Sequence, residues 1–173
     1  MVHFTDWMPT LLSMADVPVP ADNPSLDGLD VLPVLRGESG EVCTNRCWQW
    51  NRYSPVITSN AAIRDGDWKL VRPAIRESME VPDIRHLHTS MYETEYFIRN
   101  GIFRGDPERH IPDPPRPQLY NISADPLEQH DLADVDPATV RRLVSDLETW
   151  FEAVESDRRS IDDEWILNAE SGW

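Results

Sequence analysis

Cysteine is scarce in this chain: Cys43 and Cys47 are the two among 173 residues. Their C-x3-C spacing falls short of a zinc site, which takes four ligands, usually from paired knuckles. His86 and His88 are far away in sequence and sit at strand-like i,i+2 spacing. Two ordinary thiols is the default reading, with a disulfide as the alternative in an oxidising compartment. Basic residues are also few, 16 Lys and Arg against 31 Asp and Glu, for a net charge of −15. That sign excludes a nucleic-acid backbone as a partner. No apolar run approaches the ~18 residues of a membrane-crossing helix. No G-x-S-x-G elbow, phosphate-binding loop or G-x-G-x-x-G turn occurs. Met1 to Asp6 holds no basic leader followed by an apolar stretch, so no secretory signal is read there. The helical pattern starts at once, which reads as a chain cut from something longer. Internal repeats and low-complexity tracts are absent too.

A folded core is nonetheless expected. Hydrophobic residues make up 40% and tryptophan numbers 7, whereas disordered chains are poor in aromatics. Proline numbers 15, about 9% against a usual ~5%, which predicts many turns and short elements. The acidity is lopsided: residues 120–173 hold 14 acidic and 4 basic side chains, read as a solvated helical face. Composition and spacing alone define an acidic α+β domain.

Thr5 to Ala15 reads as a short helix capped by Thr5 or Asp6, with Pro9 in its first turn. Phe4, Met8, Leu11, Leu12 and Ala15 share one face. Pro18, Pro20 and Pro24 enforce an extended connector. Asp30 can cap a second short helix, Val31 to Leu35, and Gly37 stands just past its end. Strands are expected at Trp48–Tyr53, Ala61–Arg64 and Trp68–Val71. The last two flank Asp65-Gly66-Asp67, a strong hairpin signal. Seven prolines punctuate residues 73–117, read as an insertion with a helix around Thr89–Asn100. Leu119–Ile122 is the fourth strand candidate. Asp136-Pro137 opens the best element, in which Val140, Leu143, Val144, Leu147, Phe151 and Val154 follow helical spacing. Arg141, Glu148, Glu152 and Glu155 take its opposite face. Ile161 to Trp173 forms an acidic, aromatic tail, with Asp162-Asp163 read as charge rather than metal ligands.

No catalytic or metal-ligating residue emerges from this reading. His110 and His130 sit in polar loops, and Trp48, Trp50 and Trp68 fit sheet packing. The one candidate site is Asn51-Arg52-Tyr53, an arginine between an amide and a phenol at a strand end. Its planar fork of donors suits an anion; a salt bridge to a nearby acid is the alternative.

Four blocks carry a resemblance. They are Phe4-Thr5-Asp6-Trp7-Met8-Pro9-Thr10-Leu11-Leu12; Leu26-Asp27-Gly28-Leu29-Asp30-Val31-Leu32-Pro33-Val34-Leu35-Arg36-Gly37; Ala62-Ile63-Arg64-Asp65-Gly66-Asp67-Trp68-Lys69-Leu70-Val71; and Leu119-Tyr120-Asn121-Ile122-Ser123-Ala124-Asp125-Pro126-Leu127-Glu128-Gln129, closed by Leu132. In this order the chain resembles the sulfatase (arylsulfatase) family of the alkaline phosphatase-like superfamily, over its C-terminal portion. Asp16 stands where the family often has Gly, and His130-Asp131 where Asn is usual. Residues 74–116 match nothing in the pattern.

The resemblance implies an α+β fold, a small antiparallel sheet of about four strands packed against the long C-terminal helix. Residues 1–40 would end the catalytic α/β domain, 41–158 would form the C-terminal subdomain, and 159–173 the tail. It also implies a parent enzyme that hydrolyses sulfate esters with a formylglycine nucleophile and a divalent cation, calcium. The formylglycine precursor is Cys- or Ser-x-Pro-x-Arg, and neither Cys43-Thr44-Asn45-Arg46 nor Cys47-Trp48-Gln49-Trp50 fits it. This chain alone is therefore expected to be inactive and to hold no cofactor. Its expected partner is the missing N-terminal catalytic domain, with self-association through residues 1–40 in its absence. The subdomain would wall part of the substrate cleft, with Asn51, Arg52 and Tyr53 at its mouth. The parent would be periplasmic or secreted. Two alternatives stay open: a free-standing interaction module with this fold, or part of a phosphonate or phosphodiester hydrolase.

Overall fold

A computed structural model describes residues 2–19, 25–40, 45–81, 84–100 and 108–160. Expectations for Cys43, the side chain of His86 and the 161–173 tail lie outside the described residues. Contacts divide the chain into two compact units, one drawn from residues 1–46 and 64–67, the other from 47–63 and 68–173.

In the first unit a 3-10 turn, Phe4–Asp6, leads directly into helix α1, Trp7–Met14. His3, rather than Thr5 or Asp6, caps the turn: its ring nitrogen accepts from the Thr5 N–H, and its own N–H donates to the Asp6 carboxylate at 2.7 Å. Asp16 ends the helix at φ 54, the left-handed position that aspartate tolerates better than most side chains. Helix α2 spans Leu32–Leu35, with the Leu32 N–H donating to Asp30 Oδ1 at 2.9 Å and Gly37 at φ 73 beyond its end.

Val31 and Leu32 are buried in this unit, and the side chains that the start of the chain buries are polar. Asp6 and Thr10 are fully buried, whereas Phe4, Met8, Leu11 and Ala15 are exposed. The reason is the backbone that α1 covers. The connector brings the N–H groups of Leu29 and Val31 against the helix, and these need acceptors. Asp6 Oδ1 accepts from Leu29 at 2.9 Å and Thr10 Oγ1 accepts from Val31 at 3.0 Å, while the same hydroxyl donates to Asp6 O at 2.6 Å. Gly28 makes the approach feasible, because a Cβ there would lie 2.0 Å from the Thr5 carbonyl oxygen. Arg46 Nη2 completes the cluster at 2.8 Å from Asp6 Oδ1.

The sheet has four strands in the order β1-β2-β3-β4: Asn45–Gln49, Ala61–Asp65, Trp68–Arg72 and Gln118–Asn121. β2 and β3 form the expected hairpin, with Gly66 at φ 57 in its turn. β3 and β4 pair antiparallel with Leu70 opposite Leu119. Both are fully buried, and with Ala61 and Ile63 they pack against Leu143 and Leu147 of the long C-terminal helix. Burial of each such side chain contributes about 1.5–3 kcal/mol. The outer edge of β4 is covered, since the Leu119 N–H donates to Asp131 Oδ1 at 3.0 Å and the Leu132 N–H donates back to Leu119 O at 2.7 Å. This is a standard protection against edge-to-edge pairing.

Helix α6, Pro137–Ser160, is capped by Asp136, which accepts from the Thr139 N–H at 3.0 Å. Leu143, Leu147 and Phe151 are buried as the spacing predicts. Glu155 departs from the expected solvated face: it is buried, and Arg158 Nη2 reaches it at 2.7 Å. Paired charge is what allows a carboxylate to be buried there. Among the described residues the insertion holds three short helices, α3 (Arg76–Met79), α4 (Ile84–Tyr92) and α5 (Thr94–Arg99). The acidic residue and arginine spaced four apart on α5, Glu95 and Arg99, pair at 3.0 Å on its surface.

Candidate anion-binding site

β1 ends at Gln49, four residues before the expected end at Tyr53. Asn51, Arg52 and Tyr53 therefore lie in a turn rather than in the strand, and Tyr53 sits at φ 56. The turn is pinned to a buried pair of hydroxyls, Ser59 Oγ and Ser78 Oγ, 2.6 Å apart. Asn51 Nδ2 donates to Ser78 Oγ at 3.3 Å, and Asn51 Oδ1 accepts from the Val56 N–H at 3.0 Å. The Arg52 N–H donates to Ser78 O at 3.1 Å. The amide of Asn51 thus serves the loop itself.

The guanidinium of Arg52 lies over the Trp50 ring, 4.8 Å from its centroid. Trp50 is 53% exposed, so this cation–π pair is open to solvent. Among the described residues no carboxylate pairs with Arg52, so the surface salt bridge is not formed. Lys69, Arg72 and Arg116, by contrast, all meet acids, Glu128, Glu148 and Asp134. One side chain that the sequence did not flag joins the turn: Arg109, from the far end of the insertion. It donates to Arg52 O at 2.8 Å, to Ser54 O at 2.9 Å and to Ser78 O at 3.3 Å, and stacks on Tyr53 at 5.5 Å. Nothing local in sequence points to it, since its acceptors at Arg52, Ser54 and Ser78 lie 57, 55 and 31 residues away.

Two guanidinium groups, an indole and a phenol thus meet at one turn of a chain with net charge −15. Such an arrangement can hold an anionic group by charge-assisted hydrogen bonds.

Other candidate chemistry is less suited to a reactive role. Cys47 lies half-buried on β1, and burial first, then Asp146, pushes its thiol up to about 12. A thiol that stays protonated is a poor nucleophile and a poor metal ligand. His130 is exposed and its N–H donates to Asp125 Oδ2 at 2.8 Å, closing the loop after β4. Among the described residues no group of three or more His, Cys, Asp or Glu side chains could hold a metal ion. None of the helices that the structure describes is long and apolar enough to cross a membrane.

The fold and the sequence blocks together define a sulfatase homologue: sulfatases align with this chain over most of its length. The ulvan-active sulfatase of Formosa agariphila is 30% identical over 159 residues, 88% of this chain and 29% of that protein. Arylsulfatase J of Mus musculus is 27% identical over 83% of this chain and 25% of that protein. The chain thus spans little more than a quarter of the length of these relatives. A solved 2-O GAG sulfatase superposes with a TM-score of 0.50 at 18% identity, covering 91% of this chain and 26% of that one, a likeness of fold. No protein-family model matches the chain.

Proposed function

We propose that this chain is the C-terminal part of an enzyme that hydrolyses sulfate esters. Residues 1–40 end its catalytic domain, and residues 41–158 form the subdomain that supports it and walls part of the substrate cleft. The observation that carries this reading is 30% identity to a sulfatase over 88% of the chain, across a region that is 29% of the relative. The nucleophile, formylglycine, and the calcium site belong to the remainder of such an enzyme, which would act in the periplasm or outside the cell. The exposed apolar stripe of α1 supports the same reading. Phe4, Trp7, Met8, Leu11 and Met14 follow helical spacing, and each is at least half exposed. Contiguous apolar surface of this kind marks an interface, and its occupant is the rest of the catalytic domain, N-terminal to these residues.

Within that enzyme Arg52 binds an anionic group of the substrate beside the scissile ester. Its guanidinium, seated on Trp50 with no acid paired to it among the described residues, supports this role.

The experiment has two arms. Reading the gene on the 5′ side of the Met1 codon should yield an open frame with Cys- or Ser-x-Pro-x-Arg. Its product should hydrolyse an aryl sulfate, whereas the 173-residue chain should show no turnover with or without calcium. In the longer product Arg52→Ala should lower kcat/KM at least tenfold, about 1.4 kcal/mol. Turnover by the rigorously purified chain would overturn the first assignment. An unchanged kcat/KM and unchanged stability in the variant would reduce Arg52 to a solvated loop charge.

A further inference from the structure

We propose that Arg109 is a positioning residue for Arg52: it clamps the carbonyl oxygens of the turn that carries Arg52 and so fixes the Arg52 guanidinium on the Trp50 ring. The proposal rests on the reading of Arg52 as an anion ligand.

Three observations converge on Arg109. Its guanidinium donates to three backbone oxygens, Arg52 O, Ser54 O and Ser78 O, at 2.8, 2.9 and 3.3 Å. Ser78 O also accepts the Arg52 N–H, so one carbonyl ties the two arginines to the same buried hydroxyl pair. Second, the turn holds Tyr53 at φ 56, a backbone conformation that a tyrosine keeps only when its surroundings impose it. Arg109 supplies that imposition from both sides, bonding the carbonyl before Tyr53 and the one after it while stacking on its ring at 5.5 Å. Third, the acceptors are neutral. Arg109 donates to these carbonyls, and among the described residues no acid pairs with it, so it adds positive potential beside Arg52. The planar fork with its several N–H groups suits this task. A lysine ammonium carries the same charge but as a single point, and it cannot span three carbonyls and stack at once.

Arg109→Lys therefore separates position from charge. The probe is inorganic sulfate, titrated into the 173-residue chain at an ionic strength held constant with chloride. The readouts are the NMR signals of the Arg52 Nε–H and the Trp50 indole N–H, with the heteronuclear NOE of the former. In the wild type both signals should shift saturably, and the Arg52 NOE should be that of an ordered side chain. Arg109→Lys should raise the sulfate dissociation constant at least fivefold with its charge intact, and should collapse the Arg52 NOE. Arg52→Lys with Arg109→Lys should bind no more weakly than Arg52→Lys alone, because Arg109 acts through Arg52. An Arg109→Lys protein with unchanged NOE and affinity would overturn the proposal while leaving Arg52 as an anion ligand. Additive losses in the double variant would overturn it by making Arg109 a direct ligand. If sulfate shifts neither signal in the wild type yet Arg109→Lys collapses the NOE, the clamp stands and the anion reading falls. A wild-type Arg52 NOE typical of a freely moving side chain overturns the proposal with no variant at all.

Discussion

The buried carboxylate of Asp6 offers the sharpest test of how the first unit is held together. It accepts from the N–H of His3 at 2.7 Å, from the N–H of Leu29 at 2.9 Å and from Arg46 Nη2 at 2.8 Å. The Arg46 side chain is itself only 10% exposed. Asp6→Ala removes the carboxylate partner of Arg46 in a buried ion pair, together with the acceptor of two backbone donors. Losses of this kind cost about 3–5 kcal/mol, more than the pair contributes over an apolar replacement, because the remaining charge is desolvated without its partner. Adding Arg46→Met should therefore recover part of the loss. Hydrogen exchange at the Val31 amide is the cleanest assay. Its N–H is held by Thr10 Oγ1 and not by Asp6, so it reports opening of the unit rather than loss of its own bond. Asp6→Ala should lower its protection by two to three and a half powers of ten, at about 1.4 kcal/mol for each. A change of less than fivefold, or a double variant worse than the single, would refute this reasoning.

The same carboxylate sets a pH dependence. Burial alone raises its pKa, but the N–H groups of Leu29 and His3 and the Arg46 guanidinium outweigh that and hold it below the ordinary 3.8. A carboxyl depressed in the folded state binds fewer protons there than in the unfolded chain. Its stabilisation is complete above the unfolded value and is lost as pH falls through the folded one. The acid limb of stability below about pH 5 should flatten in Asp6→Ala relative to wild type.

Two glycines should destabilise by different mechanisms, both measurable by urea unfolding. Gly28→Ala meets the Thr5 carbonyl at 2.0 Å and should cost about 1–3 kcal/mol or more through forced displacement, whereas a Cβ at Gly66 meets nothing within 4 Å and Gly66→Val should cost more than about 1 kcal/mol through its positive φ. The exposed stripe of α1 should make the isolated chain self-associate in light scattering, and Met8→Glu with Leu11→Glu should abolish this; a clean wild-type monomer at high concentration would remove the case for an interface there.

Local chemistry was legible wherever a few adjacent residues decide a conformation. Asp65-Gly66 specifies the hairpin turn because only glycine takes φ 57 without strain. Asp136-Pro137 starts α6 because the carboxylate meets an orphan N–H and proline needs none. Asp16 could be read as a left-handed helix end for a similarly local reason. Periodicity sufficed for Leu143 and Leu147, since a long helix on a sheet buries one stripe. The four blocks sufficed for the likeness to sulfatases. Tertiary structure alone decided where partners come from far along the chain. Asp6 and Thr10 look like exposed cap and surface residues until the connector presents Leu29 and Val31 N–H groups that must be satisfied. Arg52 was visible as an anion ligand candidate, but its seat on Trp50 depends on β1 ending at Gln49 and on Arg109 arriving from the insertion. A hydrogen bond between residues 57 apart leaves no periodic or propensity signal, because its energy depends on where the whole chain has placed the two ends.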